Sequence, residues 1–479
     1  MRFLFVLFFL VPLHSDVLGQ VKPNVLMIAV DDLRPALGCY GDQIAITPNI
    51  DRLAKRGIVL QRAYCQLAVC CPSRLSMLTG LRPDTIRVWD LNTHFREAKP
   101  GAVTLPQHFK NAGYESRSIG KILHGGGAPS KDPESWSAPP MHDHVRDPSL
   151  RYALPKNLKG NGLKRAASEL ANVSDDHYID GIVANDSIRV LRELAVNKHP
   201  FFLAVGFRKP HLPFNAPKKY WDLYNRKEIQ IPKEGSHPVN SPDLATRSWR
   251  ELEGYTDIPE DGIITESKAR ELRHGYYACV SYVDSLVGRL LAELELLKLD
   301  SNTIVLLYGD HGFHLGEQGL WTKANNYELS TRIPLIVAAP GQIKGSSEAF
   351  VELVDVFPTV CELAGLEVPI GLEGQSFLPL FKDPKRRWKN AAFSQYPRSL
   401  KGHRHSRHGD VMGYAIRTKK YRFVQWKTWK TKAVVASELY SLLDDPHEMK
   451  NIVNEEGSKA VVTRLTKRLS DGWKAALPK

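Results

Sequence analysis

A five-residue segment, Cys70-Cys71-Pro72-Ser73-Arg74, has residue types that suit an anion-binding or reactive site. Only Cys70 starts the pattern Cys-x-Pro-x-Arg, because a count from Cys71 puts Ser73 in the proline position. Proline is favoured in the first turn of a helix, where its missing N–H costs nothing. The segment therefore predicts Cys70 at a helix N-terminus, where unpaired N–H groups favour an anion. The alternative is a buried cysteine that only precedes a helix.

Three carboxylates follow two apolar runs of the sequence. Asp31 and Asp32 end one run, and Asp310 ends another and is followed by His311. Grouped carboxylates repel one another and are costly to desolvate, unless a cation neutralises them. Oxygen ligands of this kind suit Ca²⁺, for which His311 would be a less usual partner. A cluster of Asp–Arg salt bridges is one alternative. A zinc site is another, with the ligands His311, His314 and Glu317.

Short apolar runs that alternate with helical patterns surround these residues. Four runs are typical of buried strands: 25–30, 201–205, 303–308 and 333–339. Three longer patterns predict helices: 47–56, 179–195 and 269–297. This alternation predicts an α/β fold with a central, mostly parallel sheet flanked by helices. Ligands bind such sheets at the carboxyl ends of the strands, which is where the polar residues fall.

The C-terminal part of the chain has a different pattern. Short alternating strands at 413–418, 421–426 and 438–440 precede a predicted helix at 459–476. We therefore predict a catalytic α/β domain over 20–375 and a small C-terminal α+β subdomain with an antiparallel sheet over 376–479. The basic stretch 401–408 is interpreted as a solvated loop or as a subsite for a polyanion.

Residues 1–19 have the pattern of a secretory signal peptide. Arg2 precedes the apolar run Phe3–Leu13, and small and polar residues lead to Gly19. No later stretch has 18 consecutive apolar residues, so no membrane span is predicted. We expect export, to the periplasm or medium of a bacterium or to the lysosomal and secretory route of a eukaryote. The alternative is a buried first strand.

The net charge of +13 suits a polyanionic partner, such as nucleic acid, an anionic membrane or a sulfated glycan. An exported location argues against nucleic acid. The hydrophobic fraction of 43% and the charged fraction of 24% are ordinary for a globular protein and exclude a disordered chain. The six cysteines have no spacing typical of a disulfide framework or of paired zinc-binding units.

These motifs, in this order, resemble the type I sulfatase family over nearly the whole mature chain. The stretches that carry the resemblance are Asp31–Gly41, Thr47–Ala54, Cys70–Gly80, Gly120–His124, Lys209–Phe214 and Asp310–Lys323. Further stretches resemble the iduronate-2-sulfatase branch of that family: Arg82–Thr85, Phe201–Phe214, Ser394–Arg398 and Met412–Tyr414. Histidine at 311, where many sulfatases have asparagine, also fits that branch.

The resemblance implies an alkaline-phosphatase-like fold and a sulfuric ester hydrolase. It implies that a formylglycine-generating enzyme converts Cys70 to formylglycine, whose hydrate attacks sulfur and forms a covalent sulfate ester. It also implies one Ca²⁺, with the ligands Asp31, Asp32, Cys70, Asp310 and His311. The implied catalytic residues are Cys70, Arg74, Lys121, His124, His211 and Lys323.

The resemblance also implies a role for each catalytic residue. Arg74, Lys121 and Lys323 would hold the sulfate and the reacting hydroxyl, where fixed positive charge stabilises the transition state. His124 would take a proton from the second hydroxyl of the hydrate, so that sulfate is eliminated. His211 would protonate the leaving alcohol together with Lys323.

The substrate implied by the resemblance is a sulfated saccharide, with an iduronate-2-sulfate type uronate as the leading candidate. Two positions depart from that branch: Ala324 stands where an aromatic residue is expected, and Arg208 where a histidine is expected. Arg208 could bind a carboxylate with two hydrogen bonds or serve a different sugar. The candidate substrate contacts, chosen for their position beside the matched motifs, are Asn92, His94, Arg208, Asn325 and Asn326.

Other functions stay open at the level of the sequence. The chain could act on another sulfated polysaccharide, or hydrolyse phosphoesters or phosphonates as other members of the superfamily do. With Cys70 unmodified it would be a glycan binder without turnover. An α/β-hydrolase is excluded, because the chain has no Gly-x-Ser-x-Gly in spite of the run His124-Gly125-Gly126-Gly127. The oligomeric state stays open.

Overall fold

A computed structural model describes residues 22–125, 132–145, 147–159, 164–197, 199–400 and 409–478. The predicted signal peptide, the basic stretch 401–408 and part of the glycine run after His124 lie outside the described residues. The main sheet has the strand order Arg332–Ile333, Ile58–Tyr64, Leu335–Ala338, Thr303–Gly309, Asn24–Val30, Phe201–Phe207, Glu115–Gly120. Its eighth strand, Gly345–Glu352, also pairs with Ile58–Tyr64.

The central strands of this sheet are parallel and wholly buried. Asn24–Val30 pairs in parallel with Phe201–Phe207 on one side and with Thr303–Gly309 on the other. All seven residues of each strand are buried, as expected for a sheet covered on both faces. The α/β fold predicted from the apolar runs is confirmed.

Alternate side chains of the first strand enter two separate cores, because successive residues of a strand point to opposite faces. Leu26, Ile28 and Val30 belong to one core, and Val25, Met27 and Ala29 to the other. The helices Pro48–Ala54, Ile179–Ala195 and Glu266–Leu296 cover the first face. The helices Cys70–Thr79, Leu105–Asn111 and Val356–Leu363 cover the second. The sheet is therefore the middle of three layers.

The predicted strand 333–339 is wrong in detail. It consists of two short strands, Arg332–Ile333 and Leu335–Ala338, and both run antiparallel to their neighbours. Pro334 lies between them and has no N–H to donate to a sheet. The apolar run was identified correctly, but its direction depends on strand pairing.

The C-terminal subdomain has a four-stranded antiparallel sheet. Its strands are Ala391–Arg398, Val411–Thr418, Tyr421–Thr428 and Val434–Ser441, in that order. The helix Lys459–Asp471 packs on it through Leu465. The predicted helix 459–476 is too long, because Gly472 takes a positive φ of 75° and a separate turn, Trp473–Ala476, follows.

The residues just after the predicted boundary at 375 pack with the large domain. Phe377, Leu380 and Phe381 are fully buried in the second core, around the short helix Leu378–Lys382. We therefore propose to draw the boundary after Lys382. Among the helices that the structure describes, none has both the length and the apolar character to cross a bilayer.

Shorter helices complete the described parts of the fold. They are Pro83–Ile86, Phe95–Ala98, Pro155–Leu158, Lys218–Trp221, Asp243–Thr246 and Glu328–Thr331. Two-stranded sheets pair Ser168–Ala171 with Phe214–Pro217, and His314–Leu315 with Trp321–Thr322.

Candidate active site

The register of the parallel strands brings five polar residues to one edge of the sheet. Val30 lies opposite Phe207 and Gly309 in the two neighbouring strands, and Gly120 lies opposite Gly206. The residues that follow these strand ends are Asp31, Asp32, Lys121, Arg208 and Asp310. Parallel strands end at the same edge, so residues up to nearly 280 positions apart in the sequence become neighbours.

Three carboxylates are buried at this edge. Asp31, Asp32 and Asp310 are each at most 1% exposed. The Asp32 N–H donates to Asp310 Oδ1 over 3.1 Å, which fixes one carboxylate against the backbone of another. Asp32 takes a positive φ of 60°, an uncommon conformation for a residue with a side chain. The chain thus turns sharply where its carboxylates converge.

Cys70 is the first residue of the helix Cys70–Thr79, as the motif predicts. Its Sγ lies 3.3 Å from His311 Nε2 and 3.5 Å from Lys121 Nζ. Burial raises the pKa of the thiol well above its usual value, and Asp31 raises it further against the opposing effect of Lys121. The unmodified thiol is therefore neutral and is a poor nucleophile by itself.

The C-terminal sheet supports the segment that leads to Cys70. The Gln395 N–H donates to the Gln66 carbonyl over 2.8 Å, and Ser394 Oγ donates to the Cys65 carbonyl over 2.6 Å. Val69 packs with residues of that sheet, including Trp426, in a common apolar cluster. The position of Cys70 thus depends on both parts of the chain.

Three cations neutralise the carboxylates. Arg74 Nε donates to Asp310 Oδ2 over 2.8 Å, and its Nη2 donates to Asp31 Oδ1 over 3.1 Å. Lys121 Nζ donates to Asp31 Oδ2, and Lys323 Nζ lies 2.9 Å from Asp32 Oδ2. All three cationic side chains are at most 5% exposed.

The two adjacent carboxyls differ in their pKa. For Asp31, burial raises the pKa, but Lys121 and Arg74 outweigh burial and hold the pKa well below its usual value. For Asp32, burial dominates over Lys323, and the pKa lies above its usual value. The ionised form of Asp32 is therefore less stabilised by its protein neighbours than that of Asp31.

The donors at this edge fit a divalent cation. Two sets of possible ligand atoms occur here, each set lying within 4.8 Å. The sets are Asp31, Cys70, Asp310 and His311, and Asp31, Asp32, Cys70 and His211. His311 Nδ1 lies 3.0 Å from the Gly312 carbonyl and so carries the proton, which leaves the lone pair of Nε2 facing the carboxylates. Three carboxylates suit a hard cation such as Ca²⁺.

The zinc alternative is wrong for the described part of the chain. Glu317 forms ion pairs of 2.9 Å with Arg34 and with Arg273, and together these guanidinium groups outweigh burial and hold its pKa well below the usual value. His314 Nδ1 faces the backbone carbonyl of Glu317. Neither residue belongs to a possible ligand set found among the described residues. Glu317 is thus an anchor for two arginines.

Two histidines face the carboxylates from other elements. His124 is half-buried close to Lys121, and desolvation together with that lysine lowers its pKa to about 3. The His211 Nδ1–H donates to the Leu212 carbonyl over 2.6 Å, and its Nε2 lies 4.0 Å from Asp32 Oδ2. Their catalytic roles stay predictions.

Glu251 is a site residue that the sequence analysis missed. Its Oε1 lies 3.1 Å from His211 Nε2, and its Oε2 lies 2.8 Å from Lys323 Nζ. Burial raises its pKa, but Lys323 and His211 outweigh burial and hold the pKa well below its usual value. Glu251 lies in a polar stretch with no recognisable motif, so no local signal could have identified it.

A cavity of about 220 Å³ opens beside Asp31, Lys121, His124 and His211. Of the five predicted substrate contacts, Arg208 lines this cavity. The other four lie outside its lining. Each of the four makes a hydrogen bond within the protein instead. His94 caps the helix Phe95–Ala98, and the Asn92 backbone N–H donates to Asp90. Asn325 accepts from the Tyr327 N–H, and Asn326 donates to the Gly413 carbonyl. Contact of these four residues with substrate stays a prediction.

Two family models match the chain. Residues 23–366 match the sulfatase family, and residues 316–475 match the C-terminal region of N-sulphoglucosamine sulphohydrolase. The iduronate 2-sulfatase of Mus musculus is 35% identical and covers 90% of this chain and 91% of its own length. A sulfatase of Formosa agariphila is 31% identical over 96% of this chain and 87% of its own length.

Solved structures share the fold. A phosphonate monoester hydrolase of Agrobacterium radiobacter superposes with a TM-score of 0.76 at 22% identity, covering 94% of this chain and 95% of its own. A structure in complex with its substrate, D-glucosamine-2-N,6-O-disulfate, superposes with a TM-score of 0.75 at 23% identity, covering 95% of this chain and 98% of its own. At such identity these structures establish the architecture alone.

Proposed function

The chain belongs to the sulfatase family and is a sulfuric ester hydrolase, and we propose that it cleaves sulfate esters of sulfated saccharides through a formylglycine formed from Cys70. The observation that carries this proposal is the convergence of Cys70 with three carboxylates and three buried cations at one sheet edge. When formed, formylglycine supplies a hydrated aldehyde whose hydroxyl attacks sulfur.

The residues that would hold one Ca²⁺ are Asp31, Asp32, Asp310 and His311, together with the modified residue 70. When bound, the ion polarises the sulfate oxygens and offsets charge in the transition state. Lys121 and Lys323 reach the same space from two other elements and would bind the sulfate oxygens. Fixed cations in a buried site act strongly because few water molecules screen them.

Arg74 acts, in this proposal, by positioning the carboxylates. Its guanidinium is 0% exposed, and each of its nitrogens is already engaged. Nε and Nη2 bind Asp310 and Asp31, and Nη1 donates to the backbone carbonyls of Lys121 and Ile122. We therefore assign sulfate binding to the two lysines and the orientation of the carboxylates to Arg74.

His124 and His211 suit opposite proton transfers. His124, whose pKa is lowered to about 3, is neutral near pH 7, which is the form that a base needs at the start, and its buried Nδ1 has no hydrogen-bond partner among the described residues. His211 donates Nδ1–H to a backbone carbonyl, so its Nε2 is the atom that exchanges a proton with the leaving alcohol. Glu251 lies within hydrogen-bond distance of that Nε2 and orients the ring. We propose His124 as the base and His211 as the acid.

We propose a terminal sulfated uronate as the leading substrate. Support comes from iduronate 2-sulfatases of Mus musculus and Homo sapiens, which are 35% and 34% identical to this chain. The cavity of about 220 Å³ is smaller than the 300–1,000 Å³ typical of drug-sized ligands, which favours a single sugar at a chain end. We also propose export, on the pattern of residues 1–19.

The experiment that tests the nucleophile is mass analysis of the tryptic peptide Ala63–Arg74 from protein made in its native host. We expect a loss of about 18 Da located at Cys70 by fragmentation, since oxidation of the thiol to an aldehyde replaces sulfur by oxygen and removes two hydrogens. The matched control is Cys71→Ala, which should keep the loss at position 70, whereas Cys70→Ala should abolish it. An intact thiol in folded, secreted protein would refute the formylglycine mechanism.

Turnover tests the reaction itself. The converted protein is expected to hydrolyse 4-nitrophenyl sulfate far faster than 4-nitrophenyl phosphate or a phosphonate monoester. A preference for the phosphorus esters would instead identify a phosphohydrolase that shares the fold of the phosphonate monoester hydrolases.

A further inference from the structure

Three residues that line the cavity at the sheet edge form its cationic wall, and their side chains make no ion pair within the described parts of the chain. Arg151, Arg208 and Lys209 all line this cavity. Elsewhere in the lining, Asp31 pairs with Lys121 and also with Arg74, which lies outside the lining. The lining residues therefore differ in charge balance, although they enclose the same small space.

The Arg208 side chain is held by backbone carbonyls only. Its Nη2 donates to the carbonyls of His142 and Asp143 over 3.1 Å and 2.8 Å. Its Nε is buried and has no hydrogen-bond partner among the described residues. The Asp180 carboxylate accepts from the backbone N–H groups of Arg208 and Lys209 over 2.9 and 2.7 Å, and among the described residues it forms no ion pair with the Arg208 guanidinium. A donor of the guanidinium thus stays available.

Arg151 follows the short turn Pro148–Leu150 and is half-buried. Within the described ranges, its guanidinium has neither a carboxylate within 4.0 Å nor a hydrogen-bond acceptor. Lys209 Nζ, by contrast, is occupied by the carbonyls of His211 and Pro213. Among the described residues, Arg151 is therefore the cation of this wall whose side chain has neither an ion pair nor a hydrogen bond.

Like charges in a partly desolvated cavity repel one another more strongly than they would in water. Arg151 and Arg208 both lower the pKa of Lys209, after the larger effect of burial, which is the expected sign for neighbouring positive groups. An anion in the cavity would relieve this repulsion and fill the unused donors. In the proposed function the reacting sulfate would bind Lys121, which leaves the cationic wall for a second anionic group.

We propose that Arg151, together with Arg208, forms a second anion subsite that selects substrates carrying another anionic group beside the reacting sulfate ester. This inference rests on the proposed function. The group is a carboxylate or a second sulfate, since both present oxygens that a guanidinium binds with paired hydrogen bonds. Arg151 determines specificity in this scheme and takes no part in bond cleavage.

The test compares two substrates that differ in one charge, a 2-O-sulfated iduronide and its carboxyl-reduced analogue. We expect the wild type to prefer the charged substrate by about tenfold to a hundredfold in kcat/KM, mainly through KM. Arg151→Gln should remove most of that preference, so that mutation and carboxyl reduction are not additive. Arg151→Lys, which keeps the charge, should restore part of it.

The control is Arg189→Gln, which removes the same charge from the exposed face of the helix Ile179–Ala195 and should leave the preference unchanged. Loss of activity on both substrates to the same extent in Arg151→Gln would overturn the subsite. An unchanged preference in this pair would rule out a carboxylate as the selected group, and an unchanged preference in the second pair as well would overturn the subsite. Thermal unfolding of each variant separates a change in binding from a failure to fold.

A second pair of substrates identifies the anion. Glucosamine-2-N,6-O-disulfate is compared with glucosamine-6-O-sulfate in wild type and in Arg151→Gln. A preference that depends on Arg151 only in this pair assigns a second sulfate to the subsite, whereas dependence only in the uronate pair assigns a carboxylate. Dependence in neither pair overturns the proposal.

Binding separates failure of the subsite from failure of the proposed function. Calorimetry with Cys70→Ala protein needs no turnover and uses the same uronate pair. If the wild type cleaves no sulfate ester, the proposed function fails. The subsite still predicts tighter binding of the charged uronate by Cys70→Ala than by the double variant Cys70→Ala, Arg151→Gln. Equal binding by the two proteins, with the uronate pair and with the glucosamine pair alike, overturns the subsite.

Discussion

Two buried ion clusters of this protein are built from similar residues and differ in what surrounds them. The interdomain ion cluster consists of Arg82, Glu352, Asp355 and Lys389. Arg82 binds both oxygens of Glu352 over 2.9 Å, and Lys389 Nζ binds Glu352 over 2.9 Å and the oxygens of Asp355 over 2.6 and 2.7 Å. The backbone N–H of Phe393 donates a further hydrogen bond to Glu352, and that of Gln375 donates one to Asp355. This cluster joins the two parts of the chain.

The cluster at the sheet edge also pairs every carboxylate with a cation. It lies, however, beside a cavity, and its carboxylates follow the carboxyl ends of parallel strands. It also holds a cysteine within 3.5 Å of a lysine and a histidine. Ion pairing alone therefore does not distinguish a reactive site from a structural joint. The distinguishing features are access to a ligand and the convergence of different chemical groups.

The largest effect is expected from Cys70→Ala. This variant removes the proposed nucleophile, so kcat on 4-nitrophenyl sulfate should fall by about 10⁴-fold or more, while the melting temperature changes little. Cys71→Ala is the matched control, because Cys71 is buried in the second core and takes a position of the motif where no residue type is specified. Equal activity of the two variants would contradict the assignment of Cys70.

Removal of divalent cations is expected to affect only the sheet-edge cluster. Treatment with a chelator should lower kcat by about a hundredfold or more, and Ca²⁺ should restore it. Ca²⁺ should also raise the melting temperature, because an ion that binds the folded state stabilises it. Asp310→Asn should lose that shift in melting temperature. Full activity after exhaustive chelation would contradict a metal site.

Lys389→Met is expected to destabilise the interdomain ion cluster without affecting the chemistry. It leaves Asp355 and part of Glu352 buried without their cation, which costs about 3–5 kcal/mol of unfolding free energy. Denaturant unfolding measures this loss. The folded variant should keep the wild-type KM. A large change in KM with unchanged stability would reverse the distinction between the two clusters.

Glu251→Gln is expected to have an intermediate effect at the sheet edge. The amide keeps the shape of Glu251 but weakens its interaction with His211 and Lys323, so kcat should fall by about tenfold to a hundredfold. KM for a substrate with a good leaving group should change less. The readout is the ratio of kcat on alkyl and aryl sulfates, which a purely structural role would leave unchanged.

The smallest effect is expected from replacing Glu438, a buried carboxyl that accepts hydrogen bonds from uncharged donors. Trp426 Nε1 and Tyr440 OH donate to it over 2.7 and 2.8 Å, yet burial outweighs them and raises its pKa to about 7. The folded-state pKa lies above the unfolded value of about 4.3, so the stabilisation is complete below about pH 4 and is lost as the pH rises through 7.

Glu438→Gln should flatten this part of the stability profile. We expect the pH-dependent change in unfolding free energy between pH 5 and 8 to shrink by about 1–3 kcal/mol. Denaturant titrations of wild type and variant across that range measure it. An unchanged profile would show that Glu438 is ionised in the folded state.

The sequence could predict the elements because their signals are local. The helix at 179–195 was predicted with the bounds that the structure has, and the three central strands with errors of one or two residues. The proline at 334 and the glycine at 472 explain the errors at the strand 333–339 and the helix 459–476, since both residues change the backbone within a correctly identified apolar pattern.

The sequence by itself determined which residues end the strands and begin the Cys70 helix, because periodicity and capping depend on near neighbours. The meeting of Glu251 with His211 and Lys323, and of Arg151 with Arg208, was decided only by the tertiary structure. These residues lie in loops without periodicity, and their positions follow from how distant segments pack. Side chains far apart in sequence acquire a common chemistry only when the folded chain brings them together.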